Sequence, residues 1–396
     1  MTHRIFILIS IIWFSFACEQ GDSNVNLERA IAIRDSLKSQ YVPDSRVALF
    51  SIEISDENGL VKVSGDTDQS YALATLMNKF LAEGMRIKDE VSLLPDSSTL
   101  KYKYALVNNS VANLRSKPKH SAELATQAIL GTVLKVLKIT DEWYLVQTPD
   151  DYIAWVDHGG VELKTKFQIE NWHKRDKVIV TKSFSQVFKN EKLTSVVADV
   201  VLGSVLEGVN IKNGVTTVEF PDGRRGYIAT SHVNDFQTWL DNRKPSETLI
   251  EYYARSLMGS PYLWGGTSAK GMDCSGFTKT VYFMNGLIIP RDASQQVNAG
   301  IVVDENNTFE GLKKGDLLFF GKPATESTKQ KTTHVGIWLG NNEFIHASKR
   351  VRISSIDPNN PNYDEFNKNR YLGSRRYLRN KEGNVLEVSS AFTLQE

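Results

Sequence analysis

Residues 262–266 read Tyr262-Leu263-Trp264-Gly265-Gly266, and shortly after them comes Met272-Asp273-Cys274-Ser275-Gly276-Phe277. Paired glycines permit a sharp backbone bend, and an aspartate directly before Cys274 is of the kind that caps a helix. Phe277, Val281 and Met284 then form an apolar stripe at helical spacing, which leaves Cys274 at the N-terminal end of that helix. A thiol in this position meets the positive end of the helix dipole and unpaired backbone N–H groups, so the thiolate is expected to be favoured. The same N–H groups are suited to a developing oxyanion.

A thiolate nucleophile needs a proton carrier. The chain has seven histidines, and two of them fall on neighbouring strand-like runs just downstream. His334 opens His334-Val335-Gly336-Ile337-Trp338-Leu339, and after the turn Gly340-Asn341-Asn342 the run Phe344-Ile345-His346-Ala347 returns. A hairpin of these runs sets His346 beside His334 on one face, where it orients the first imidazole. Cys274, His334 and His346 are then nucleophile, base and orienter for acyl transfer through a thioester. No metal or other cofactor is implied, because the histidines lack carboxylates or thiolates at ligand spacing.

Outward from this stretch, residues 240–380 read as helices first and an antiparallel sheet afterwards, an α+β domain. Ser246 or Thr248 caps a helix expected to run to Met258, and strands are expected at 316–320, 334–339, 343–347 and 371–378. Residues 104–162 and 175–236 form a divergent repeat. Ile129-Leu130-Gly131-Thr132-Val133-Leu134 answers Val201-Leu202-Gly203-Ser204-Val205-Leu206, and Tyr152-Ile153-Ala154 answers Tyr227-Ile228-Ala229. Short alternating strands of this kind predict two small all-β barrels. Residues 25–100 read helix, strand, strand, helix, strand, a small α/β unit that resembles the bacterial BON module. The chain is therefore multidomain.

The N-terminus points to export. His3 and Arg4 precede an apolar run over residues 5–16, then Ala17 and Cys18, the layout of a secretory signal over residues 1–18. A small residue followed by cysteine resembles a lipobox, which makes Cys18 the expected lipid-modified N-terminus of an envelope lipoprotein. A plain signal peptide cut near Ala17 is the alternative. Cys18 and Cys274 are the two cysteines of the chain, so loss or lipidation of the first leaves Cys274 without a disulfide partner. A lone thiol in an exported protein is a sign of reactivity. Formal net charge is +1, which gives no electrostatic case for a nucleic-acid partner.

Tyr-x-Trp-Gly-Gly, Asp-Cys-Ser-Gly-Phe, Gly-Asp-Leu-x-Phe-Phe, His-Val-Gly-Ile and Phe-Ile-His-Ala, in that order, resemble the NlpC/p60 family of cell-wall cysteine peptidases. The resemblance implies a papain-like fold with a Cys-His-His triad at Cys274, His334 and His346. It also implies Tyr262 beside the thiolate, and Asp273, Ser275 and Ser294 lining the substrate cleft. Both repeats look SH3-like, the first through Val111-Ala112-Asn113-Leu114-Arg115 and Tyr152–Val156. The second lacks that opening and is the more degenerate.

SH3-like modules upstream, together with the loop at 321–326, resemble the dipeptidyl-peptidase VI branch of γ-D-glutamyl-L-diamino acid endopeptidases. In that branch an acid and a tyrosine of the first module hold the free amine of L-Ala in a murein peptide. The matching positions are Glu123 and Tyr152. The expected activity is hydrolysis of the γ-D-glutamyl-L-diamino acid bond through a thioester. General D,L-endopeptidase action on intact peptidoglycan and an inert wall-binding lipoprotein are the alternatives.

Overall fold

The computed structural model describes residues 20–96, 100–380 and 385–392. The signal segment and Cys18 lie outside these residues. Two compact units are distinct: residues 20–45 with 49–93 form the first, and residues 46–48 with those from 94 onward form the second.

In the first unit the helix Gln20–Tyr41 is followed by an antiparallel hairpin of Phe50–Glu57 and Leu60–Thr67. Asn58 and Gly59 both take positive φ at its turn, as a tight right-twisted hairpin requires. The helix Ser70–Ala82 then crosses over, and Ile87–Leu93 adds parallel to the second strand. Ala72, Leu76 and Phe80 recur at four-residue spacing and are buried, as are Ala30, Leu37, Phe50, Ile52, Val61 and Val63. Helical period 3.6 and strand period 2 meet in one core.

The second unit contains both barrels and the catalytic domain. The first barrel has the strand order Leu124–Ile129, Val111–Arg115, Ile153–Asp157, Trp143–Gln147, Val133–Thr140, Tyr104–Val107, Val161–Lys164. Its repeat follows the same path: Val196–Val201, Phe184–Phe188, Arg225–Ala229, Val215–Glu219, Val205–Lys212, Lys177–Val180, Val233–Asp235. A short 3-10 turn precedes the last strand in each copy, at His158–Gly160 and Thr230–His232. The degenerate second copy therefore keeps the opening strand, Phe184–Phe188, although its sequence has lost the motif there.

The two copies meet through the matched Leu-Gly turns. Val205 N donates to Leu130 O at 3.0 Å, and Gly131 sits at φ +83 against the Val205 carbonyl. Gly203, at φ +85, faces Ile129 and Phe283. Two helices absent from the sequence reading, Lys166–Lys174 and Phe236–Asp241, bring Ile169, Trp172, Phe236 and Trp239 into one hydrophobic core with the catalytic domain. Barrels and catalytic domain are thus continuous in packing, not separate modules.

The catalytic domain places the helix Cys274–Met284 against an antiparallel sheet ordered Ile301–Val302, Tyr371–Arg376, Leu317–Lys322, Lys331–Gly340, Glu343–Ser348, Arg350–Ser355. Every residue of that helix except Lys279 and Phe283 is buried. The preceding helix is capped by Ser246, whose Oγ accepts from Leu249 N at 3.3 Å. It ends at Ser256, short of the expected Met258, and Gly259 follows at φ +81. The strand Arg350–Ser355 is an addition to the sequence reading: its alternation is masked by Arg350 and Arg352.

Alanine at Gly131 would place a Cβ 2.1 Å from the Val205 carbonyl oxygen, on a backbone of positive φ. Gly131→Ala is expected to cost about 1–3 kcal/mol for the backbone conformation, with the steric clash added to that. Thermal unfolding followed by calorimetry checks this, and an unchanged Tm would show that the barrel contact yields freely.

Candidate active site

The bend before the catalytic helix is built from its own residues and from the first barrel. Gly265 takes φ +79, and a Cβ there would lie 2.2 Å from the Leu124 carbonyl oxygen. Glycine is needed for two reasons: the left-handed backbone and the close approach of the barrel strand. Asp273 is the N-cap of Cys274–Met284, with Oδ1 accepting from Gly276 N at 2.7 Å, while its Oδ2 accepts from Gly265 N at 2.9 Å. One carboxylate thus fixes both the bend and the helix start.

Asp273 is held in turn by Arg291, whose side chain is fully buried. Arg291 NH1 donates to Oδ1 at 3.0 Å and NH2 to Oδ2 at 2.7 Å. Its Nε donates to Thr126 Oγ1 at 2.8 Å, on the first barrel's edge strand. Ser275 Oγ donates to Asp273 Oδ1 at 3.3 Å and accepts from Arg291 NH1 at 3.0 Å. Asp273 and Ser275, which flank Cys274, are both buried, and their side-chain oxygens are bonded to the helix start and to the buried guanidinium.

Cys274 is the first residue of the helix and is 7 % exposed. Its sulfur accepts backbone N–H bonds from Val335 and Ser275, so the residue beside His334 touches the nucleophile. Ile337 pairs with Ile345, which sets His346 diagonal to His334 on one face of the sheet. His334 Nε2 and His346 Nδ1 are 2.7 Å apart, so Nδ1 is the ring nitrogen of His334 outside this contact. His346 is fully buried, and its Nε2 lies 3.0 Å from Ser354 Oγ. Ser354 Oγ donates to Asp364 Oδ2 at 3.2 Å.

Burial dominates the electrostatics. It pushes the Cys274 thiol up to about 12, with Asp273 adding to the rise, while the Val335 and Ser275 N–H groups and Arg291 oppose it. It lowers His334 to about 3, helped by Arg370, and holds His346 well below the ordinary histidine range. Burial thus works against the helix N-terminus at Cys274, raising the thiol while it lowers the imidazole of His334. Tyr262 is beside Cys274, and burial followed by Cys274 itself raises its hydroxyl, so it is a proton donor at neutral pH.

The first barrel brings further groups up to the bend before Cys274. Glu123 Oε1 accepts from Trp264 Nε1 at 2.8 Å. Tyr152 is buried, and its hydroxyl donates to Asp292 Oδ2 at 3.4 Å. Arg46, part of this same unit, donates through NH1 to Asp292 Oδ2 at 2.7 Å and to Ser294 Oγ at 2.9 Å. Arg46, Arg291, Asp292, Ser354 and Asp364 were not singled out in the sequence. For Arg291 and Asp292 a signal existed, since they begin the Arg291-Asp292-Ala293-Ser294 run; the others have none.

A helix carrying cysteine against a sheet carrying two histidines defines a cysteine peptidase site, and the comparisons agree. Residues 259–376 match the NlpC/P60 family, and residues 114–160 match the bacterial dipeptidyl-peptidase Sh3 domain. The chain is 30% identical over 265 residues to a γ-D-glutamyl-L-lysine dipeptidyl-peptidase of Bacillus cereus, covering 65% of this chain and 76% of that one. It is 28% identical over 276 residues to dipeptidyl-peptidase 6 of Lysinibacillus sphaericus, covering 65% of this chain and 94% of the relative. A crystal structure of an NlpC/P60 family protein from Bacillus cereus superposes with a TM-score of 0.58 at 27% identity, covering 69% of this chain and 99% of that one. The chain belongs to the NlpC/P60 family of cysteine peptidases.

The depressed histidines carry a stability consequence. Between pH 6.5 and the folded-state values, about 3 for His334 and about 4 for His173, the unfolded chain binds protons that the folded chain refuses. Stability therefore falls as pH drops below 6.5, by up to about 1.4 kcal/mol per pH unit for each such histidine. His334→Gln is expected to flatten the decline in Tm between pH 6.5 and 5, where most carboxylates are still ionised. Parallel curves for variant and wild type would show that His334 takes up its proton normally in the folded state.

Proposed function

We propose that this enzyme hydrolyses the γ-D-glutamyl-L-diamino acid bond of murein peptides whose L-Ala carries a free amine. The observation that carries the reading is the position of Glu123. This carboxylate comes from the barrel edge, yet it is bonded to Trp264 in the bend that precedes Cys274. Glu123 and Tyr152 leave the first barrel at the same end, since Arg115 pairs with Leu124 on one side and Trp155 on the other. A carboxylate has acceptor capacity beyond its bond to the indole, and the Tyr152 oxygen, having donated to Asp292, keeps lone pairs for an ammonium. The relatives named for γ-D-glutamyl-L-lysine cleavage support the same substrate class.

In this reading His334 Nδ1 takes the Cys274 proton as sulfur attacks the γ-carbonyl carbon of D-glutamate. The tetrahedral oxyanion forms beside the Tyr262 hydroxyl. Collapse expels the amine of the diamino acid, which receives the proton from His334, and leaves a thioester on Cys274. Water, deprotonated by His334, then hydrolyses the thioester and releases L-Ala-γ-D-Glu.

Purified enzyme with L-Ala-γ-D-Glu-L-diamino acid peptides, free and N-acetylated, read by mass spectrometry, tests the proposal, with Cys274→Ala as the inactive reference. Glu123→Ala is expected to slow cleavage of the free-amine peptide about ten- to a hundredfold through loss of one charge-assisted contact. Equal cleavage of free and acetylated peptides by the wild type would instead favour general wall hydrolysis.

The chain we also take to be exported and anchored through Cys18, on the strength of the apolar run ending in Ala17-Cys18. Mass spectrometry of protein from native membranes is expected to find a diacylglyceryl-modified Cys18 as first residue. An N-terminus retaining Met1, or an unmodified one, would reject the anchor.

A further inference from the structure

Three polar side chains step diagonally across one face of the catalytic sheet. His334 is on Lys331–Gly340, His346 on Glu343–Ser348 and Ser354 on Arg350–Ser355; His346 pairs with Arg352, which sets Ser354 diagonal to it. Asp364, the N-cap of Glu365–Lys368, closes the row. The successive contacts are 2.7 Å from His334 to His346, 3.0 Å from His346 to Ser354, and 3.2 Å from Ser354 to Asp364. Exposure along the row is 8 %, 0 %, 1 % and 8 %, so bulk water does not substitute for a missing partner.

The direction of every hydrogen bond in the row follows from its far end. An ionised carboxylate only accepts. Asp364 Oδ2 accepts from Arg352 NH2 at 3.2 Å and from Asn367 Nδ2 at 2.7 Å, and the Ser354 hydroxyl must therefore donate to it as well. The Ser354 oxygen then turns its lone pairs to His346, whose Nε2 must carry a hydrogen. A neutral imidazole has one N–H, so His346 Nδ1 is bare and accepts from His334 Nε2–H. His334 Nδ1 is bare in its turn, and it is the nitrogen outside the contact with His346.

We infer that Asp364, acting through Ser354, is the positioning group that fixes the tautomer of both histidines and presents His334 to Cys274 with Nδ1 unprotonated. In the attacking step one proton moves, from sulfur to His334 Nδ1. After that transfer His334 Nε2–H still donates to His346 Nδ1, and the rest of the row is unchanged, so no reorganisation accompanies the step. Without Asp364, the Ser354 hydroxyl is free to rotate and donate to His346 Nε2. The His346 proton then sits on Nδ1, facing His334 Nε2, and drives the His334 proton to Nδ1, where it blocks the base.

The inference rests on Cys274 and His334 as thiol and base, but not on which peptide is cut. Asp364 also caps a helix, with Asn367 N donating to Oδ1 at 3.0 Å, so activity alone does not separate the two roles. The deciding measurement is two-bond 1H–15N correlation on [15N]histidine-labelled full-length protein, alongside kcat and KM on any murein peptide that the wild type cleaves. Wild type is expected to show bare Nδ1 and protonated Nε2 on both His334 and His346. Ser354→Ala and Asp364→Ala are expected to lose that pattern, with kcat down about ten- to a hundredfold and KM nearly unchanged. Asp364→Asn is expected to keep most of both, since its amide oxygen can still accept from Ser354, Arg352 and Asn367 Nδ2, with only the cap to Asn367 N given up.

Should Asp364→Ala not fold, Ser354→Ala carries the test, because it deletes one oxygen and leaves the cap in place. A protonated Nδ1 on His346 in the wild type overturns the inference. So do wild-type kcat and tautomers in both alanine variants. If no murein peptide is cut, the proposed substrate fails while the tautomer measurement still stands.

Discussion

The buried ion pair of Arg291 and Asp273 is the constraint on which the rest of the site depends. Asp273 ties the glycine bend to the first turn of the catalytic helix, and Arg291 ties Asp273 to Thr126 of the first barrel. A buried pair adds little net stability, yet removing one partner costs about 3–5 kcal/mol because the other is left charged and unpaired. Geometry is what the pair supplies. With both ends satisfied, Cys274 is fixed relative to the barrel edge as firmly as relative to the sheet that carries His334.

The barrel contact is polar as well as close. Gln127 Oε1 accepts from Thr267 N at 2.9 Å, and Thr267 Oγ1 donates to Gln127 O at 3.1 Å, one strand position from Thr126. Glu123, Thr126 and Gln127 therefore face the catalytic domain along a single edge, and Gly265 removes the Cβ that would keep the backbones apart. Rigid attachment of this kind holds a carboxylate from one domain at a set distance from a nucleophile on another. The barrel thus supplies charged and polar groups beside the bend, while the helix and sheet supply the cysteine and the histidines.

Much of this was legible in the sequence because the decisive signals are local. The bend, the cap and the apolar stripe fall within residues 262–284, and the two histidines within one hairpin. The α+β class and the two small barrels followed from strand periodicity and from the repeated Leu-Gly turns, while the papain-like and SH3-like folds followed from family resemblance. What escaped had a tertiary cause. Ser354 lies on a strand whose alternation is obscured by arginines, Asp364 caps a short helix beyond it, and nothing in their neighbours marks them as partners of His346. Arg46 stands far from Asp292 in sequence. The burial of the guanidinium that holds Asp273 and Ser275 had no local signal, and the burial that opposes the helix dipole at Cys274 arises only from the packed fold.

The matched turns of the two barrels show how a duplicated module has divided its labour. The copies share one topology, yet the first presents its edge strand to the catalytic bend while the second places Gly203 against the partly buried Phe283 of the catalytic helix. The second copy thus acts as a buttress, carried by its turn and its core rather than by the motif of its opening strand.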